Sequence, residues 1–197
     1  MPLLSEAAVR VRSQRETTRS DEPAPTRLAG ELGSESDHFD IFLSHSIDDA
    51  ELVNGVRLML EDQHLVVYVD RPFASRQAGN RMTPGTMGRL RRRMIKSESL
   101  ILLLSGTADD LEWMPWILGY FDGKGGRVAS LPLSTDKDGK PKTQGYVNLY
   151  PYVDIVGPTM WANGVAGGRA SLVPWLLHQE EIRKPSEFDF GGFAKCT

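Results

Sequence analysis

Four short apolar runs, Phe39–Leu43, Leu65–Val69, Leu100–Leu104 and Val128–Leu133, alternate along this chain with stretches whose apolar residues recur at helical spacing. A strand that is apolar on both sides must be covered on both sides, and that points to a sheet sandwiched between helices. Between the first two runs, Leu52, Val53, Val56 and Leu60 share one face of a helix predicted over Ile47–Asp62, with Asp48 or Asp49 near the positive end of its dipole. Gly85–Lys96 reads as a second helix. A third carries Trp113 to Phe121, with Asp110 as a candidate cap, and Pro115 fits only in its first turn, where no intrahelical donor is lost. Gly123, Gly125 and Gly126 end it. Tyr152–Val156 supplies a fifth strand and Leu172–Ile182 a last helix.

Alternating strands and helices of this kind predict an α/β three-layer sandwich: a five-stranded parallel sheet in the flavodoxin-like order 2-1-3-4-5, with helices on both faces. In such sheets ligands bind beyond the carboxyl ends of the strands, where the order reverses. That rule selects Ser44-His45-Ser46 after the first strand, Asp70-Arg71 after the second and Ser105-Gly106 after the third.

The flanks differ in character. Residues 1–37 are rich in Ser, Glu, Arg, Thr and Pro and are expected to form a flexible N-terminal arm. Residues 38–183 form the domain, and residues 184–197 a loose tail. A net charge of -3 gives no reason to expect nucleic acid or an anionic membrane as partner. Cys196 is the single cysteine, so an intrachain disulfide is impossible and a cysteine zinc site is excluded; no metal site is expected. No apolar run approaches the ~20 residues needed to span a bilayer. No basic stretch followed by an apolar core opens the chain, and a cytoplasmic protein is the expectation.

Several nucleotide chemistries lack their motif. No glycine-rich dinucleotide fingerprint follows the first strand, and there is no Walker phosphate loop. A phosphoacceptor receiver would need acids after strand one and an aspartate after strand three, where this chain has Ser44-His45-Ser46 and Ser105.

Two stretches carry a family likeness. Phe39-Asp40-Ile41-Phe42-Leu43-Ser44-His45-Ser46 and Trp113-Met114-Pro115-Trp116-Ile117-Leu118-Gly119-Tyr120-Phe121-Asp122-Gly123 together resemble the Toll/interleukin-1 receptor (TIR) family in its bacterial defence branch, over roughly residues 38–156. The resemblance implies an NAD-consuming fold in which a glutamate lies four residues after the helix tryptophan; here that position is Ile117. Breaking the bond between ribose and cationic nicotinamide develops positive charge on the sugar, which a carboxylate stabilises as in glycoside hydrolysis. An aliphatic side chain offers neither charge nor acceptor, and losing one electrostatic group of this kind costs on the order of 10²–10³ in rate.

By the same resemblance, Ser44, His45, Asp70, Arg71, Ser105 and Trp113 surround NAD or a related nucleotide, with Ile117 facing the pocket as an apolar plug. No other cofactor is implied. The bland alternatives are turn chemistry for Ser44 and Ser46, and core packing for Trp113 and Trp116. The loop after strand two commonly controls pocket opening and self-association in TIR domains. It carries Arg71, where the family often has an aromatic, together with Arg76 and Arg81. On the following helix Arg89, Arg92 and Arg93 share a face with Lys96, either as a solvated surface or as an assembly contact. The expected protein is a nucleotide-binding, self-assembling signalling module with impaired catalysis and a possible defence-system partner. The alternative is an active NAD glycohydrolase or cyclase that uses another acid, such as Asp70.

Overall fold

A computed structural model describes residues 3–30, 38–45, 49–70, 84–105, 114–134 and 145–183. Its elements run β1 (Leu4–Ser5), α1 (Glu6–Ser20), α2 (Ala24–Gly30), β2 (Phe39–His45), α3 (Ala50–Glu61), β3 (Val67–Val69), α4 (Pro84–Ile95) and β4 (Ser97–Leu104). They continue with α5 (Met114–Gly123), β5 (Val128–Ser134), a 3-10 turn (Val147–Leu149), β6 (Tyr152–Val156), β7 (Thr159–Asn163), β8 (Arg169–Ser171) and α6 (Leu172–Leu176).

The strands form one sheet in the order β3-β2-β4-β5-β6-β7-β8, with β1 paired to β5 off that path. β3, β2, β4 and β5 are parallel, in a register that aligns Leu43 with Val69 and with Ile101. β6 joins β5 in parallel through the pair Ser130–Tyr152. Period-two alternation sends Leu100, Leu102 and Leu104 to one face of the sheet and Ile101 and Leu103 to the other. The first face packs on α4 and α5 through Leu90, Met94, Ile117 and Phe121. The second packs on α3 through Val53, Val56 and Leu60, and on α6 through Trp175. This two-sided burial is why the central strands read as unbroken apolar runs.

The five predicted strands pair in parallel along β3-β2-β4-β5-β6, but among the described residues the sheet is larger than expected and mixed, with eight strands. The chain turns back at Gly157, whose φ of 63° is readily held only without a Cβ, and β7 pairs antiparallel with β6. β8 then adds antiparallel to β7.

The flexible arm predicted over residues 1–37 does not hold for residues 4–30, which contribute a strand and two helices. Leu4 and Val9, 2% and 0% exposed, belong to the same apolar cluster as Ile41 and Leu131. Composition hid this, because two well-placed apolar side chains suffice when the rest of the helix is anchored by charge. Ser5 caps α1 by accepting from the Ala8 amide at 3.2 Å.

The last helix is shorter than expected. It ends at Leu176, and His178 has a left-handed φ of 56°. The amides of Gln179 and Glu180 turn back onto the Pro174 carbonyl, closing the end. The tail from Lys184 and the expected cap Asp110 lie outside the described residues.

Candidate functional site

The carboxyl ends of β2, β3 and β4 bring Ser44, His45, Asp70 and Ser105 to one edge of the sheet. Ser44 and His45 are the last two residues of β2, paired with Leu102 and Leu103 of β4. Asp70 follows β3 directly, and its amide donates to the Leu43 carbonyl at 2.9 Å, which fixes it beside the end of β2. Ser105 follows Leu104, the last residue of β4. Ser44, Asp70 and Ser105 are all buried. The reason they gather is topological: parallel strands end on the same side, so each strand delivers its next residue to a common rim. Among the described residues no group of three or more His, Cys, Asp or Glu side chains is disposed to hold a metal ion.

Asp49 completes the described part of the rim. It is the N-cap of α3, and one carboxylate oxygen accepts from the amides of Glu51 and Leu52, each at 3.1 Å. Its other oxygen accepts from Arg10 of α1 at 2.7 Å. Burial pushes the Asp49 carboxyl upward, but the Arg10 hydrogen bond and charge together with the two amides outweigh it and leave it below the usual carboxylate range. The sequence reading offered Asp48 or Asp49 for this position; the structure selects Asp49 as the cap.

Ile117 lies on α5, and its side chain is 1% exposed. It belongs to the apolar layer of Phe42, Leu102, Met114 and Phe121. Phe121 is itself fully buried against Phe42, with ring centroids 5.6 Å apart. The position that the family likeness assigns to a carboxylate is therefore continuous with the hydrocarbon core on this side of the sheet. Trp116 and Tyr120 pack at the margin of the same layer.

Other expected residues separate. Arg71, Arg76, Arg81 and Trp113 lie outside the described residues. Arg89 and Arg92 are exposed on α4. Arg93 is half-buried, its guanidinium 5.4 Å from the ring centroids of both Phe39 and Tyr68. Its stacking on two rings gives it a packing role that Arg89 and Arg92 do not share.

One buried acid went unnoticed in the sequence. Asp154 on β6 is 1% exposed, and neither carboxylate oxygen has a hydrogen-bond partner. It faces Trp161 across the β6–β7 ladder, and the indole nitrogen of Trp161 is likewise buried without a partner. The signal was available: an aspartate between Val153 and Ile155 in a strand run. Asp70 and Asp154 are the buried carboxylates among the described residues.

No family model matches the chain. Over 116 residues it is 41% identical to a protein of Bacillus cereus named "Probable 3' cyclic ADP-D-ribose synthase ThsB'", a stretch that covers 58% of this chain and 60% of that relative. The chain thus spans about 60% of the length of the curated relative it matches. This similarity bears out the likeness to bacterial defence proteins of the TIR type.

Proposed function

We propose that this TIR-like chain is a nucleotide-binding, self-assembling signalling module of a bacterial defence system, with NAD or a related nucleotide as its ligand and with impaired turnover. The observation that carries the reading is Ile117, 1% exposed within an apolar layer at the position where the resemblance calls for a glutamate. The name of the relative points to the same substrate, since cyclic ADP-ribose forms from NAD by loss of nicotinamide and internal ring closure. Both that reaction and simple hydrolysis pass through a cationic sugar, and both need a charge partner for it. Ile117 supplies none, whereas Ser44, His45, Asp70 and Ser105 still offer polar atoms at the strand ends where a nucleotide would lie.

Self-association is the second half of the proposal. It is supported by Arg71, Arg76 and Arg81, which follow β3 in the sequence, and by the exposed Arg89 and Arg92 on α4. Light scattering with and without NAD tests whether ligand drives assembly.

The decisive experiment measures nicotinamide and cyclic product released from NAD by the natural sequence and by Ile117→Glu, beside calorimetric NAD binding to each. Binding by both, with turnover only in the variant, is the expected result. Robust turnover by the natural sequence would overturn the impaired reading.

One specific observation favours that rival. Asp70 is a buried carboxylate, 7% exposed, at the end of β3. In an active enzyme it is the candidate charge partner, and Asp70→Asn would then abolish turnover while leaving the fold intact.

A further inference from the structure

Residues 4–20 touch the candidate site's rim at two separated points. β1 pairs with the carboxyl end of β5, Leu4 with Leu133 and Ser5 with Ser134. One turn into α1, Arg10 reaches Asp49, the cap of the helix that begins just past the end of β2. A single short segment thus spans from the end of one central strand to the helix start that follows another.

Leu4 and Val9 of the segment enter the core, but the rest of it is held differently. Of the fifteen residues of α1, only Val9 and Ser13 are buried. Val9 fits where α3 has no side chain, at Gly55, and a Cβ there would lie 2.7 Å from Val9 Cγ1 and would overlap the Val9 carbonyl oxygen. Ser13 accepts from the buried side-chain amide of Asn54 at 3.0 Å, while the other amide atom of Asn54, its Oδ1, stays unpartnered. The remainder is ionic. Arg10 bridges Asp49 and Glu51, and Arg12 grips Asp62 with two donors, at 2.7 and 2.9 Å. Mostly polar contacts with one incompletely satisfied group are features of a surface that docks and undocks rather than of a core.

We propose that residues 4–20 are a docking strap, which braces the rim at β5 and at the α3 cap when seated and loosens both together when released. The strap depends on the nucleotide reading only in treating that rim as the site; its docking does not require a ligand. Salt weakens the part-exposed ion pairs, so release is favoured as ionic strength rises.

Two full-chain variants test this without nucleotide, so the result is independent of whether NAD binds. Gly55→Ala blocks the seat of Val9 while giving α3 a better helix former. Arg10→Ala with Arg12→Ala removes the ionic clasp without touching α3. Amide hydrogen exchange is read at residues 4–20, at Glu51 and Leu52, at Leu133 and Ser134, and in β4 as control. The strap predicts that both variants speed exchange at the first three places by about fivefold or more, while Leu100–Leu104 stays protected. A rise confined to residues 4–20 makes the segment a mere appendage and overturns the proposal. So does an unchanged pattern in both variants, and so does an equal rise in β4, which would make release a global unfolding.

Discussion

Arg10 and Asp49 meet at 2.7 Å, and the Asp49 oxygen not used by Arg10 caps α3. One carboxylate thereby serves both a tertiary ion pair and a helix terminus. Asp49→Ala should cost more than Arg10→Ala because it removes both, whereas Arg10→Ala loses, beyond the shared pair, only the part-exposed contact with Glu51 at 3.1 Å. The cap alone contributes about 1 kcal/mol. The ion pair, with both partners about one-third exposed, adds less than ~1 kcal/mol after solvent screening. Urea unfolding of the two single variants and the double variant separates the terms. Equal losses from both singles would show that the cap contributes no more than the Arg10–Glu51 pair.

The same pair sets the sign of an acid response. Asp62, hydrogen-bonded by Arg12, is held below the usual carboxylate range, as Asp49 is. A carboxylate lowered on folding stabilises the fold fully above its unfolded value, and that contribution disappears as pH falls through the lowered folded value. Glu61 runs the other way: burial raises it, outweighing the pull of Arg57, so its charging opposes folding as pH rises. Acidification from neutral toward pH ~3 should therefore loosen the grip of α1 on α3. The double variant Asp49→Asn, Asp62→Asn should show a flatter loss of stability over that range. An acid limb identical to that of the natural protein would mean that these carboxylates do not carry it.

How much of this was legible in the sequence differs from element to element. The β4 run Ser97–Leu104 was plain from Leu100–Leu104 because a doubly covered strand leaves no polar alternation to confuse with a helix. The gathering of Ser44, Asp70 and Ser105 followed from parallel topology alone. α1 was hidden because its apolar content is small and its anchors are partners more than thirty residues away, Asp49 and Asp62, which no local pattern reveals. The β6–β7 hairpin turned on Gly157, a signal present in the sequence but outweighed by the expectation that the fifth strand closes the sheet. Asp154 was passed over because its burial depends on that hairpin.

Asp154 is the clearest case in which removing a polar group should help. A buried carboxylate with two unpartnered oxygens is costly, and replacing it with an apolar residue of similar size is neutral or stabilising unless the charge has a use. Asp154→Val also suits a strand. Its thermal midpoint should equal or exceed that of the natural protein. A lower midpoint would reveal a stabilising partner for this carboxylate, and unchanged stability with loss of nucleotide binding would mark Asp154 as part of a ligand site.

Ile117 allows a graded test of what its layer tolerates. Ile117→Val removes one methylene from a residue packed with Phe42 and Phe121 and should cost about 0.5–1.5 kcal/mol. Ile117→Glu places a carboxylate in the same surroundings and should cost on the order of 3 kcal/mol or more unless it reaches a donor or water. The two costs bear directly on the activity assay. If Ile117→Glu unfolds far more easily than Ile117→Val yet cleaves NAD, then the apolar layer has taken stability from the residue that silences the site. If Ile117→Glu is as stable as Ile117→Val, the side chain must reach water or a hydrogen-bonding group. The layer would then open toward the rim, and Ile117 would be the apolar plug of a pocket rather than a core residue. Denaturant unfolding of the two variants, read before any turnover measurement, decides between these outcomes.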